Sequence, residues 1–233
     1  MAVDQRKRQK KLAKKKAKRK KQLQVTQRES FGAMVANLGQ LSVAANSPIY
    51  QCLVPRELFE AGIGEVIISR KLANGAIAAS FFLVDVFCLG VKDAFFRLVS
   101  RYEFADFVEG ARAQQPFREI DPACARKLVE ESVAYAQGLG LSPHSDYHKA
   151  KKIFGDIDAA SCPASFTFGK DGQPFFFSGP NDTPARCQQI IETLTQSRGP
   201  NGFHFAMGIG GWGLFDEGEL DEDDVEEEEG EED

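Results

Sequence analysis

Residues 64–93, running G-E-V-I-I-S-R-K-L-A-N-G-A-I-A-A-S-F-F-L-V-D-V-F-C-L-G-V-K-D, form the longest apolar passage of the chain. Asn74-Gly75 divides two β-rich runs, and Asn-Gly tolerates the positive φ angles of a type I′ turn, so the passage reads as a β-hairpin. A two-residue turn sets Leu72 opposite Ile77, Ile68 opposite Phe81 and Val66 opposite Leu83. Cross-strand neighbours share a face. One face therefore collects Val66, Ile68, Leu72, Ile77, Phe81 and Leu83, and the other Ile67, Phe82 and Val84. Both faces are apolar, so the strand pair is expected to be covered on each side.

Past Gly90 the apolar positions change period. Val91, Ala94, Phe95, Leu98, Val99 and Tyr102 fall at i, i+3, i+4, i+7, i+8 and i+11, the spacing of an amphipathic helix with Asp93, Arg97 and Arg101 on its solvated side. Before the hairpin, Phe31, Met34, Val35 and Leu38 allow a short helix, Ile49 to Val54 a strand stopped by Pro55, and Arg56 to Glu60 one helical turn. After it, Asp121-Pro122 caps and starts a second helix, whose stripe is Cys124, Leu128, Tyr135 and Leu139 and whose end is marked by Gly138 and Gly140. A short helix near Asp146 turns Tyr147, Ala150 and Phe154 inward. A second hairpin is expected over 166–177, with Lys170-Asp171-Gly172 at its turn. Thr183-Pro184 opens a final helix with Cys187, Ile190, Ile191 and Leu194 on one stripe, stopped at Gly199-Pro200.

These elements define a single α+β domain of two β-hairpins, joined or not into one antiparallel sheet, packed on three to four helices. Charge sets its limits. Residues 1–28 carry thirteen of the 29 Lys and Arg and one acid, and residues 216–233 carry fourteen of the 34 acids and no base. The division is thus a basic arm at 1–28, a globular domain at 29–200, a Gly/aromatic linker at 201–215 and an acidic tail at 216–233. Both tails hold too little apolar surface to fold alone and are expected to be disordered. The five cysteines are odd in number and without a C-x-x-C pair, which reads as reduced thiols in a cytoplasmic protein. No apolar run approaches the roughly 20 residues of a spanning helix, so no membrane partner is expected.

The arm supplies Arg6, Lys7, Arg8, Lys10, Lys11, Lys14, Lys15, Lys16, Lys18, Arg19, Lys20 and Lys21. Each cation placed on a phosphate releases condensed counterions, so a one-sign block of this density is a nucleic-acid footprint for the backbone of RNA or DNA, the ribosome included. It contains no aromatic ring for stacking and nothing that reads bases. The acidic tail is suited to a basic protein partner, or to competing with phosphate for the arm.

Catalytic chemistry has one candidate centre, Asp85, Cys88, Lys92 and Asp93 at the exit of the apolar passage. Cys88, two residues before Gly90, has the placement of a nucleophile on a sharp turn, but strand alternation sets it on the opposite face from Asp85, and a buried small hydrophobe is the commoner fate of such a cysteine. Asp85, Lys92 and Asp93 are suited to a metal and phosphate. The plainer alternative is Asp85 as a cap or as the partner of Lys92. His144 and His148 stand four apart, a zinc spacing on a helix, with no other His or Cys ligand nearby except Cys162. Pro143 leaves His144 outside the helix. Lys149, Lys151 and Lys152 with Arg126 and Lys127 form either a basic patch that continues the arm or, as the better reading, ordinary solvated faces. The G-I-G-G-W-G run at 208–213 lacks the Lys-Ser/Thr of a phosphate-binding loop. No cofactor is indicated. The leading expectation is a non-enzymatic nucleic-acid- or ribonucleoprotein-associated protein. The alternatives are a metal- or thiol-dependent hydrolase or nuclease, and a module that binds basic proteins.

Overall fold

The structure, a computed structural model, describes residues 41–180 and 182–207. The basic-arm residues, the helix proposed around Phe31 to Leu38, the Gly-rich run at 208–213 and the acidic tail lie outside the described residues. Residues 41–45 are helical and lead into strand β1 (Ile49–Pro55). A one-turn helix α1 (Leu58–Ala61) precedes a meander of β2 (Ile63–Lys71), β3 (Ile77–Asp85) and β4 (Gly90–Val99). Helix α2 (Arg101–Gln114), strand β5 (Phe117–Glu119), helix α3 (Pro122–Gly138) and the short helix α4 (Tyr147–Ala150) follow. The described part ends with β6 (Phe175–Phe177), helix α5 (Pro184–Arg198) and β7 (His204–Ala206). The fold is α+β: a five-stranded antiparallel sheet in the order β4-β3-β2-β1-β5, with a separate parallel pair β6-β7.

The hairpin forms, but one residue out of the expected register. Ile67 pairs with Phe81, Val66 with Phe82 and Lys71 with Ile77. The turn explains the slip. Gly75 N–H donates to Leu72 O and Leu72 N–H to Ala76 O, both at 2.9 Å, and only Gly75 takes a positive φ (84°) while Asn74 uses its side chain to accept from Ala76 N–H. This is a three-residue loop ending in a left-handed glycine, not a two-residue type I′ turn. A one-residue slip moves partners to the opposite face. Val66, Ile68, Ala78, Phe82 and Val84 therefore share one side, and Ile67, Ile77, Ala79 and Phe81 the other. Phe81 and Phe82, expected to face opposite ways, do so, each contributing about 1.5–3 kcal/mol by burial.

The helix expected from Val91 is instead the edge strand β4. Leu83 pairs with Asp93 and Val84 with Val91, so Lys92 is the extra residue of a β-bulge. The bulge brings Val91 and Ala94, three apart, onto the same face, with Phe96 continuing it, while Phe95 and Val99 point to the other side. With both faces covered, a bulged strand reproduces helical spacing. The helix begins later, at a complete capping box in which Ser100 Oγ accepts from Glu103 N–H and Glu103 Oε2 from Ser100 N–H.

One face of the sheet is covered by α3, α4 and the 151–154 turn through Leu128, Val129, Val133, Tyr147, Ile153 and Phe154. The other is covered by α2 through Phe104 and Val108. Asp121 caps α3, accepting from Ala123 N–H at 2.8 Å, and Thr183 caps α5. The second hairpin is cut short. Lys170 and Gln173 exchange both backbone bonds around Asp171 and Gly172, which take the positive φ values of the turn, but the bridge is isolated. Phe166 and Phe168 pack on the main core, and Phe175–Phe177 pairs in parallel with His204–Ala206, inside the stretch expected to be linker.

Two polar devices close the structure. Arg70, 2% exposed, donates through Nε to Ile153 O (2.8 Å), through Nη1 to Ser47 O (2.6 Å), and through Nη2 to Phe154 O (2.6 Å) and Asp156 Oδ1 (3.0 Å). Cys124 and Cys162 form a disulfide across a separation of 38, tying the 155–164 loop to α3. This corrects the reading of five reduced thiols. Cys52, Cys88 and Cys187 are free and buried.

Two expected outcomes follow from these devices. Arg70→Met leaves three carbonyls without their donor and lowers stability by about 3 kcal/mol or more, read as a drop in the urea midpoint; a change below about 1 kcal/mol rejects the anchoring role. Denatured, unreduced protein titrates three thiols rather than five, and joint Cys124→Ser/Cys162→Ser replacement lowers stability by about 2–4 kcal/mol.

Candidate functional site

The six-residue connection from Asp85 to Gly90 joins β3 to β4 and holds two of the four residues proposed for catalysis, Asp85 and Cys88, while Lys92 and Asp93 follow in β4. Asp85 is 6% exposed. Its Oδ1 accepts from Phe87 N–H and Cys88 N–H, each at 2.9 Å, so the carboxylate closes the turn as a local cap. Burial, the largest influence, raises its pKa from 3.8 to about 6 against the pull of those N–H donors and of Lys92.

Cys88 has no exposed surface and packs with Leu89, Leu139, Phe176 and Cys187. Burial first, and the Asp85 charge second, push its thiol far above the ordinary value, which leaves it protonated and weakly nucleophilic. Lys92 turns away from both. As the extra residue of the bulge, it reaches Asp182 Oδ2 at 2.6 Å. Asp182 also accepts from Gly179 N–H (2.8 Å) and lies 3.7 Å from Arg186. Burial opposes its ionisation, but the Lys92 hydrogen bond, the Gly179 donor and the two cations outweigh it and hold its carboxyl below the usual range. Lys92 and Asp182 thus pin α5 to the bulge of β4.

Asp93 is more than half exposed and faces His144, whose Nδ1 lies 3.6 Å from Asp93 Oδ1 and accepts from Asp146 N–H at 3.3 Å. His148 is exposed and set against the Tyr147 ring. Cys162 is spent in the disulfide. Among the described residues no three His, Cys, Asp or Glu are grouped to hold a metal ion.

Several cations of the body are engaged. Arg126 pairs with Glu130 at 3.0 Å and donates to Ile157 O, and Lys127 donates to Ala164 O at 2.7 Å. Lys151 sits over the Tyr147 ring. An open groove of about 710 Å³ beside α2 carries Glu65, Glu103 and Asp106 over Leu83, Phe107 and Phe117. Burial first, then Asp93, raises the Glu65 carboxyl.

Arg70, Asp156 and Asp182 did not stand out in the sequence. A charged residue inside a β-rich apolar run was the available signal for Arg70; nothing local marked the other two. Among the described residues no helix is long and apolar enough to cross a membrane. Comparison with protein-family models, curated proteins and solved structures finds no match to this chain.

Asp85→Asn keeps the oxygen that accepts from the turn and removes the buried charge. The folded pKa of Asp85 lies above its unfolded value, so its stabilising effect is complete below about pH 4 and is lost as pH rises through about 6. Urea unfolding from pH 4 to 8 is therefore expected to show the Asn variant gaining on the parent chain as pH rises, by about 3 kcal/mol at most. Parallel stability profiles would refute the assignment.

Proposed function

We propose that this chain is a non-enzymatic nucleic-acid- or ribonucleoprotein-associated protein, anchored on phosphate through Arg6, Lys7, Arg8, Lys10, Lys11, Lys14, Lys15, Lys16, Lys18, Arg19, Lys20 and Lys21. Charge segregation carries the reading: thirteen of the 29 basic residues fall in 1–28 with one acid, and fourteen of the 34 acids in 216–233 with no base. Such a block gives affinity without base specificity, because phosphate contacts position a protein and only base-edge contacts read sequence.

The body supports this division by what its own cations do. Arg70, Lys92, Arg126 and Lys127 serve internal carbonyls and carboxylates, so these four cations are not available to hold phosphate. The Asp85–Gly90 turn lends no comparable support to a hydrolase. Its thiol is sealed in core and its lysine is committed to Asp182.

In this reading the acidic tail competes with phosphate for the arm. Like and unlike charge runs on one chain attract at low ionic strength and are screened by salt. A cytoplasmic setting belongs to the same proposal. The Cys124–Cys162 bridge weighs against that part, because reducing compartments keep most thiols reduced.

Binding of the full chain to RNA and to duplex DNA across a salt series tests the reading. If about eight cations engage duplex phosphates, log K falls against log salt with a slope of about −7, and Gln at Lys14, Lys15, Lys16, Lys18, Lys20 and Lys21 makes it shallower by up to about 5. Absence of binding at low salt overturns the proposal. Glu→Gln replacement at 226–229 is expected to tighten binding, and unchanged affinity removes the competitor role from the tail.

A further inference from the structure

Helix α2 leaves much of its side of the sheet bare. Among the described residues it is the only helix packed on that face of β4-β3-β2-β1-β5, where it buries Phe104 and Val108. Five strands at a spacing of about 4.8 Å span roughly 19 Å, while a helix with its side chains is about 10 Å across, so one helix covers about half the width. On one flank of α2 lies the open groove of about 710 Å³. Its wall is a single stripe of the helix: Glu103, Asp106, Phe107, Gly110, Ala111 and Gln114 stand at i, i+3, i+4, i+7, i+8 and i+11. Its floor includes Glu65 of β2 and Leu83 of β3, which are in register.

Three properties of the groove define what fits it. It is apolar with a large ring left out of the core: Phe107 meets Phe81 at a centroid distance of 5.8 Å yet is 44% exposed. Its charge is of one sign, since Glu65, Glu103 and Asp106 line it and no Lys, Arg or His does. Glu103 spends one oxygen on the capping box. Half-buried Glu65 has no hydrogen-bond or ion-pair partner among the described residues, and the charge that acts on it is that of Asp93, another acid, so an incoming cation would relieve both. The third property is Gly110. Glycine in a helix interior is less stable than alanine, and a Cβ here meets nothing within 4 Å. No contact in the described chain calls for glycine at this point, whereas close approach by a second backbone does.

We propose that this groove docks a basic amphipathic helix of a partner protein, laid along α2 with its apolar side chains on Phe107 and Leu83 and its Lys or Arg on Glu65, Glu103 and Asp106. The stripe from Glu103 to Gln114 rises about 16 Å, so the docked segment is about three turns long. Helix axes reach the short end of the roughly 8–10 Å packing range when the residues between them are small, as Gly110 and Ala111 are. Glu65 and Leu83 belong to strands with neighbours on both sides, so the floor offers no free backbone to an extended peptide. A helix seated by apolar anchors at i, i+3, i+4 and i+7 matches the wall instead. Docking of such a helix is independent of phosphate binding by residues 1–28.

The test is fluorescence anisotropy of a labelled Leu/Lys peptide, Leu at i, i+3, i+4 and i+7 and Lys elsewhere, titrated with the full chain at physiological ionic strength. A scrambled peptide of the same composition reports charge attraction alone, that of residues 216–233 included. The expected result is saturable binding of one peptide per chain, with the scrambled peptide weaker by about tenfold or more. Gly110→Leu adds a good helix former and fills the groove, so it is expected to keep the thermal midpoint at or above the parent value and to weaken binding by about tenfold or more. Glu65→Gln with Asp106→Asn weakens binding several-fold and flattens its salt dependence, and carries the comparison should Gly110→Leu lower the midpoint. Equal affinity of the parent chain and both variants overturns the proposal. So does equal affinity for the scrambled peptide or for a Leu/Glu peptide of the same pattern, and so does absence of binding. Sedimentation that shows a parent dimer broken by Gly110→Leu also overturns it and assigns the groove to a second copy.

Discussion

A guanidinium is costly to bury unless each of its donors finds an acceptor, and Arg70 meets that condition almost wholly with backbone. Ser47 O, Ile153 O and Phe154 O come from segments far apart in sequence that meet at the end of β2. Asp156 adds a carboxylate that is itself largely exposed. The contact does more than join neighbours. Gly155, at φ 52°, lies so close to Ala45 O that a Cβ there would collide with it, so the 151–156 turn must approach the 41–47 segment as glycine alone permits. The approach places Ile153 and Phe154 over Phe82 and closes the α3–α4 face of the sheet.

The elements legible in the sequence are those specified by local chemistry. Asp121-Pro122 and Thr183-Pro184 start helices as expected because capping depends on neighbours in sequence. The hairpin was legible from Asn74-Gly75, but its register was not. Asn-Gly is compatible with both a two-residue and a three-residue loop, and the choice lay in burying Ile67 with Phe81 on one face and Val66 with Phe82 on the other. The misreading of β4 as a helix has the same origin. A bulge at Lys92 shifts the alternation by one, and a sheet covered on both faces removes the polar half of the pattern that separates strand from helix. The Cys124–Cys162 bridge spans 38 positions, and no local spacing encodes it.

The candidate site divides in the same way. That Asp85 would cap a local turn was among the readings available from residue type, and the turn it closes joins two strands instead of starting a helix. That Lys92 would abandon Asp85 and Asp93 for Asp182 was not legible, because the partner lies 90 residues on and the bulge that aims Lys92 leaves no local mark. Exposed and buried charge consequently have different roles in this molecule. Inside the body, Arg70 fastens β2 to the 151–156 turn, Lys92 fastens β4 to the start of α5, and Arg126 and Lys127 fasten α3 to Ile157 and Ala164. The densest one-sign charge of the sequence falls in residues 1–28 and 216–233.

That division of labour is the central claim, and lysine footprinting of the full chain tests it most directly. The protein is acetylated at low salt with and without a duplex or RNA ligand, and protection is read residue by residue. The account predicts protection confined to Lys7, Lys10, Lys11, Lys14, Lys15, Lys16, Lys18, Lys20 and Lys21, with Lys149 and Lys152 on the body acetylated equally in both samples. Protection of Lys149 and Lys152 with the arm left reactive would contradict it and make the body the phosphate-binding surface.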